Sequence, residues 1–161
     1  MLQPPAPWAV ASRISAGAWS MARAMSARWA RRRAAQLAGA QTIGVIPTHL
    51  LSRVHGKRDL TNLVITDDKH ERKKVMFMNS DAILVMPGGT GSLDEFFEVL
   101  TWAEIGLHGK PIFLLNTAGY GQPLLTLIDH IITPGFADPT LRGWITVLDD
   151  APALQAALST F

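Results

Sequence analysis

The chain has 161 residues, of which 48% are hydrophobic and 17% are charged, a balance typical of a globular domain. It contains no cysteine, which excludes disulfide bonds and thiolate metal sites and favours a cytoplasmic protein. The formal net charge of +2 does not indicate a partner by itself, and no apolar run reaches the roughly 18 residues of a membrane helix.

The first forty residues differ in composition from the rest. No Asp or Glu precedes Asp59, whereas six arginines and three of the five tryptophans fall before residue 40. We therefore divide the chain into an atypical basic segment, residues 1–38, and an α/β domain, residues 39–161. The basic segment could be an organellar transit peptide, a basic amphipathic helix, or sequence without a structural purpose, such as an out-of-frame reading. Its Ala and Arg content predicts a helix from Ser15 to Leu37 in each case.

Predicted strands and helices alternate along the remaining residues. Short apolar, β-branched runs predict strands at Thr42–Pro47, Leu63–Ile65, Ala82–Met86, Pro111–Leu115 and Trp144–Leu148. Helices are predicted at Lys69–Asn79 after a cap at Asp67 or Asp68, from about Ser92, from Pro123 to Ile132, and from Ala151 to Leu158. Periodicity places one set of apolar residues of the first two helices inward: Val75, Met76, Met78, Leu93, Phe96, Phe97, Leu100 and Ala103. Apolar strands alternating with helices predict an α/β fold with a doubly wound parallel sheet.

A glycine-rich turn follows the strand that ends at Met86. Residues 88–91 read GGTG and join this strand to a helix, so successive backbone N–H groups can converge on a phosphate. Ligands of parallel α/β sheets also bind beyond the carboxyl ends of the strands. The turn is not a Walker loop, because no Gly-Lys-Ser/Thr follows, and Asp94 replaces the third glycine of a dinucleotide fingerprint. A tight turn without a ligand is the alternative.

The polar residues on either side of this turn have two interpretations each. Ser92 and Glu95 have the spacing of a capping box, yet Glu95 could also act as an ionised carboxylate beside a ribose. The basic run Arg72-Lys73-Lys74 is either a solvated helix face or the source of a fixed cation for a phosphate site. The histidines show no paired ligand spacing, and we predict no metal site.

These residues resemble the motifs of a known family. Residues 87–95 read PGGTGSLDE and resemble the PGGxGTxxE signature of the Lonely Guy proteins, which are cytokinin riboside 5′-monophosphate phosphoribohydrolases often mislabelled as lysine decarboxylases. Residues 70–73 resemble the end of the family's MxxRK element, and the likeness extends over about Gly39 to Asp149. Two departures are conservative: Ser92 replaces the motif threonine, and Lys69 replaces the methionine.

The resemblance implies a Rossmann-like fold and an enzyme that acts without a cofactor. Its expected reaction is hydrolysis of the N-glycosidic bond of cytokinin riboside 5′-monophosphates, or of AMP, to the free base and ribose 5-phosphate. It implies that Arg72 and Glu95 are the catalytic residues. Binding of the substrate and its phosphate would fall to Lys73, Gly88, Gly89, Thr90, Gly91 and Ser92. A homodimer with a small nucleotide substrate is expected, without a membrane or nucleic-acid partner.

One departure from the family concerns the start of the domain. The family's first strand, its glycine-serine turn and its second strand are not recognisable before Ala34. We therefore expect a sheet without these two strands, in which the Ile43–Ile46 strand pairs directly with Ala82–Met86 and the basic helix covers one face. A non-catalytic nucleotide carrier, or an inactive truncated family member, is the alternative function. A pyridoxal-phosphate decarboxylase is disfavoured, because no lysine has a suitable context.

Overall fold

The computed structural model describes residues 14–15, 43–53 and 62–159, which fall into two compact units. Among these residues, the first unit comprises 43–53 and 62–80, and the second comprises 14–15 and 81–159. The predicted boundary at residue 38 lies outside the described residues and stays a prediction. The same holds for the predicted basic helix, except that its first residue, Ser15, belongs to a strand.

Strands and helices alternate as the sequence predicts. In chain order they are β1 (Ile14–Ser15), β2 (Ile43–Pro47), β3 (Asn62–Thr66), α1 (Lys69–Met78), β4 (Ala82–Val85), α2 (Thr90–Glu104), β5 (Ile112–Leu115), α3 (Gln122–Ile132), β6 (Ile145–Leu148) and α4 (Ala151–Ser159). Short 3₁₀ turns lie at Thr48–Arg53, Thr117–Gly119 and Pro139–Trp144. Among the described residues, no helix is both long enough and apolar enough to cross a membrane.

In the first unit, β2 and β3 form a parallel ladder. It runs from the Ile43–Asn62 pair to the Pro47–Thr66 pair, and the hydroxyl of Thr48 donates to the carbonyl of Thr66 at 3.0 Å. The predicted pairing of the Ile43–Ile46 strand with Ala82–Met86 is therefore wrong. The five residues of β2 find a full-length parallel partner in β3, whereas β4 offers only four residues.

Helix α1 begins at a side-chain cap that the sequence predicted. The Asp68 carboxylate accepts hydrogen bonds from the N–H groups of His70 at 2.7 Å and Glu71 at 2.8 Å. The Glu71 carboxylate in turn accepts from the N–H of Asp67 at 2.7 Å. Backbone N–H groups before and after Asp68, which have no acceptor within the helix, therefore find side-chain acceptors. The inward placement of Met78 is wrong: it is 68% exposed, since it ends the helix and no further turn shields it.

Removing the cap should weaken the fold in a pH-dependent way. The N–H groups of Glu71 and His70 hold the pKa of the Asp68 carboxyl below its ordinary value. Because the pKa of Asp68 is lower in the folded state, its ionised carboxylate stabilises the folded chain at pH values above the unfolded-state pKa of about 3.9. This stabilisation is lost as the pH falls through the folded-state pKa. We therefore expect Asp68→Ala to melt at a lower temperature than the wild type from pH 7 down to about pH 4, with a smaller difference at lower pH. Thermal melts followed by circular dichroism across this range test the prediction.

Asp67→Ala is the matched control for this measurement, because it removes a neighbouring exposed carboxylate and leaves the Asp68 cap intact. Asp68→Asn keeps a capping oxygen without the charge, so its melting temperature should be close to that of the wild type at pH 7. A constant difference between Asp68→Ala and the wild type down to pH 2 would contradict the assignment of the cap.

The second unit contains a four-stranded parallel sheet in the order β1-β4-β5-β6. Ile14 and Ser15 lie in register with Ala82 and Ile83, so β1 takes the position beside β4 that the sequence assigned to the Ile43 strand. The ladder continues from Ile83 to Ile112 of β5, and β5 pairs in the same way with β6.

Helices cover both faces of this sheet. One face packs against α4 through a cluster of buried and partly buried residues: Ala82, Leu84, Met86, Phe113, Leu115, Leu148, Leu154 and Leu158. The alternate strand residues point to the other face and are also buried: Ile83, Val85, Ile112 and Leu114. Helices α2 and α3 contribute further buried side chains: Phe96, Leu100, Ala103, Leu125 and Ile128. The predicted doubly wound α/β fold is thus confirmed.

The buried stripe of α2 differs from the prediction at two positions. Phe96, Leu100 and Ala103 are buried as expected, but Phe97 is only half-buried and Leu93 is 39% exposed. Ser92 precedes Phe96 by four residues and lies on the buried side of the helix, whereas Leu93 lies about 60° from Phe96 at the opposite border of the stripe. A small polar residue therefore occupies the buried face of the first helical turn.

Candidate active site

The predicted glycine turn lies at the carboxyl end of β4 and leads directly into α2. Gly89 is the N-cap in an extended conformation, with φ −93° and ψ −156°. Its carbonyl accepts from the N–H groups of Ser92 at 2.9 Å and Leu93 at 3.3 Å, which begins the helical ladder. The first N–H groups of an α-helix have no intrahelical acceptor, so the turn presents donors at the positive end of the helix dipole. This geometry suits a phosphate.

The capping-box interpretation of Ser92 and Glu95 is wrong. The helix starts at Thr90, so Ser92 is its third residue, and no side chain bonds to the cap at Gly89. Ser92 is only 2% exposed, and within the described part of the chain its hydroxyl oxygen has no hydrogen-bond partner. A buried hydroxyl without a partner costs roughly 1–3 kcal/mol. A ligand that bonds to this hydroxyl would remove the cost.

Gly88 brings the loop into close contact with this hydroxyl. A Cβ built at Gly88 would lie 2.9 Å from the Cβ of Ser92 and closer still to its Oγ. No side chain fits there without displacing the first turn of the helix. The Ser92 hydroxyl therefore packs directly against the loop backbone at Gly88.

A second loop contacts the glycine turn from the neighbouring strand. The hydroxyl of Tyr120, in the loop after β5, donates to the carbonyl of Gly88 at 2.6 Å. This loop is held by the Asn116 side chain, which accepts from the N–H of Gly121 at 2.7 Å. It contains two left-handed residues, Ala118 at φ 53° and Gly119 at φ 74°. The left-handed conformation is energetically unfavourable for Ala118, because this residue carries a Cβ atom, and such conformations occur often at functional sites.

Sequence reasoning assigned no role to Tyr120, although the residue lies within the region that resembles the family. One signal was present: a Gly-Tyr-Gly sequence follows the parallel strand next to the one that carries the glycine turn. Carboxyl ends of adjacent parallel strands meet at one edge of the sheet, so loops that follow them are neighbours.

The other predicted site residues lie on helices. Glu95 is on α2, one turn after Ser92; it is half-buried, and its Oε2 atom is shielded from solvent. Arg72 and Lys73 are half-buried on α1, and the Nε of Arg72 donates to the carbonyl of Val45 at 3.2 Å. The second unit therefore holds Glu95 and the five loop residues Gly88, Gly89, Thr90, Gly91 and Ser92, while the first unit holds Arg72 and Lys73.

Several known proteins are similar to this chain. A cytokinin riboside 5′-monophosphate phosphoribohydrolase of Rhodococcoides fascians is 42% identical over 123 residues, which are 74% of this chain and 61% of that protein. One of Arabidopsis thaliana is 40% identical over 123 residues, which are 76% of this chain and 58% of that protein. A probable enzyme of the same name from Oryza sativa subsp. japonica is 42% identical over 114 residues, 71% of this chain and 46% of that protein. The chain thus spans about half to three fifths of the length of these relatives.

A family model points to the same group of proteins. Residues 29–158 match the model of a family described as possible lysine decarboxylase. This match covers most of the chain and includes both the basic element on α1 and the glycine turn. The chain therefore belongs to this family, and its resemblance to the Lonely Guy proteins is confirmed.

Proposed function

We propose that the chain is a nucleoside 5′-monophosphate phosphoribohydrolase that acts on cytokinin riboside 5′-monophosphates or AMP. The observation that carries this proposal is the glycine turn at the N-terminus of α2, where the buried Ser92 hydroxyl packs against Gly88 and Glu95 lies one helical turn later. The activity printed in the names of relatives that are about 40% identical supports the same reaction.

The proposed chemistry breaks one bond and forms another at the ribose. The loop and Ser92 hold the 5′-phosphate, which places the sugar beside the first two turns of α2. The C1′–N bond breaks, the base keeps the electron pair and takes up a proton, and a water oxygen bonds to C1′ and releases a proton. Positive charge develops on the ribose in the transition state, and the Glu95 carboxylate stabilises it or orients the attacking water.

A cation is also required, because the substrate phosphate and Glu95 are both negative. We assign this part to Arg72, with Lys73 as a second phosphate-binding residue, from the likeness of their element to the family's MxxRK motif. The bond from Arg72 Nε to the Val45 carbonyl orients the guanidinium, and the five N–H donors of arginine allow further bonds. Half-burial of Arg72 reduces the screening of its charge by solvent.

Two other functions are less well supported. A pyridoxal-phosphate decarboxylase needs a lysine with a lowered pKa in a cofactor pocket. Burial does lower the pKa of Lys110, but this residue precedes β5 and so lies at the edge of the sheet opposite the glycine turn. A non-catalytic nucleotide carrier would bind through the same turn without needing Glu95. We further propose that the chain forms a homodimer and acts in the cytoplasm. Light scattering on the purified chain tests the proposed dimer.

Base release is the direct test of the proposed reaction. The purified chain is incubated with AMP and with isopentenyladenosine monophosphate, and the free base is followed by chromatography. We expect release from at least one of these nucleotides, and much slower release from adenosine, which lacks the phosphate. No release from a folded chain that binds AMP would leave the nucleotide carrier as the function.

Substitution of Arg72 tests the proposed cation. We expect Arg72→Ala to slow base release by roughly a hundredfold or more, because a charged group that stabilises the phosphate and the transition state is lost. Lys74→Ala is the matched control, since Lys74 is exposed two residues later on the same helix. Similar rates for the two variants would remove Arg72 from the mechanism.

A further inference from the structure

The contact between Tyr120 and the glycine turn bears on how the turn binds an anion. The carbonyl that accepts from the Tyr120 hydroxyl at 2.6 Å belongs to the peptide that joins Gly88 to Gly89. A trans peptide is planar, and its C=O and N–H groups point in opposite directions. A hydrogen bond that fixes the Gly88 carbonyl therefore fixes the direction of the Gly89 N–H as well.

This peptide has an unusual freedom to rotate because glycine stands on both sides of it. Rotation by half a turn changes ψ of Gly88 and φ of Gly89, which would carry the φ of Gly89 from −93° toward positive values that glycine adopts readily. The rotated peptide would exchange the two groups, so a carbonyl oxygen would replace an N–H donor at the helix N-terminus. Such an oxygen repels a phosphate instead of binding it.

We infer that Tyr120 is a positioning residue, whose hydroxyl holds the Gly88–Gly89 peptide with the Gly89 N–H toward the substrate phosphate. This inference rests on the proposed function, and it adds a residue that acts through the loop. The buried Ser92 hydroxyl also packs against Gly88 and has no hydrogen-bond partner within the described residues.

The loop that carries Tyr120 is built to hold the side chain in place. Ala118 and Gly119 are both left-handed, and Asn116 holds the N–H of Gly121, directly after the tyrosine. An energetically unfavourable backbone conformation is kept only where neighbouring hydrogen bonds and contacts hold the chain in it. Tyr120 itself is 58% exposed, so water competes for its hydrogen bond and the effect of the bond is moderate.

Tyr120→Phe removes the hydroxyl and keeps the ring. Binding of AMP and of adenosine is measured by calorimetry for the wild type and for this variant. We expect the Kd for AMP to rise roughly three- to tenfold, in line with the loss of one hydrogen bond, and the Kd for adenosine to stay the same. An equal loss for both ligands, or no loss for AMP, would overturn the inference. A wild type that binds AMP no better than adenosine would overturn it too.

A second variant separates peptide orientation from a simple contact. Alanine at position 89 tolerates the observed φ of −93° but disfavours the positive φ of the rotated peptide. In a Gly89→Ala background, Tyr120→Phe should therefore weaken AMP binding less than it does in the wild type. An undiminished loss in that background would contradict the orienting role. Because both readouts are binding constants, a chain that binds AMP but releases no base would contradict the proposed hydrolysis and leave this inference standing.

Discussion

Glu95→Gln should lower the rate of base release by roughly a thousandfold or more, the largest effect on catalysis that we expect from one substitution. The amide keeps the size of the side chain and its place on α2 but removes the negative charge that faces the developing cation of the ribose in the proposed mechanism. Binding of AMP should be unchanged or tighter, since a carboxylate near the phosphate is lost. The effect should therefore fall on kcat and not on KM.

Glu98→Gln is the matched control for this experiment. Glu98 lies three residues later on the same helix and is also half-buried, so its replacement makes the same change of charge on the same element. We expect the Glu98→Gln variant to release base at nearly the wild-type rate. A wild-type rate for Glu95→Gln, or an equal loss for both variants, would remove Glu95 from the reaction.

Gly88→Ala should both destabilise the chain and stop base release. The new Cβ would meet the Oγ and Cβ of Ser92, so the loop or the first turn of α2 must shift. Forcing an extra carbon into a packed site costs about 1–3 kcal/mol in the free energy of unfolding. A shift of the turn by about 1 Å would misplace the phosphate and slow the reaction roughly a hundredfold or more. Chemical denaturation and the base-release assay measure the two effects.

Gly109→Ala is the control for backbone entropy in this experiment. A Cβ at Gly109 meets no atom within 4 Å, and its φ lies outside the left-handed region, so alanine should be tolerated. A Ser92→Gly background supplies a second control, because it removes both atoms that the new Cβ would meet. There Gly88→Ala should cost less stability than in the wild type, although activity should stay low without the hydroxyl. Equal costs in the two backgrounds would contradict the proposed overlap.

Local features of the chain were predictable because their signals are local. The predicted strands from Thr42 to Leu148 are apolar, β-branched runs of the right length, and the structure forms a strand at each of them. Asp68 was recognisable as a cap because its own side chain makes the bonds. The start of α2 was missed for the converse reason: Gly89 is an N-cap without a side-chain bond, and the serine three residues later matched a capping-box pattern that the helix does not use.

The sequence by itself determined the α/β class, the family and the glycine turn with Glu95 one helical turn beyond it, because each depends on residues close together in the chain. Only the tertiary structure decided which strands pair, since apolar parallel strands carry no mark of their neighbours and β2 joined β3 while β1 joined β4. The burial of the Ser92 hydroxyl against Gly88 also depends on the tertiary structure alone. The same structure brought Tyr120 to a carbonyl 32 residues earlier in the chain, a contact created by two adjacent strands ending at the same edge of one sheet.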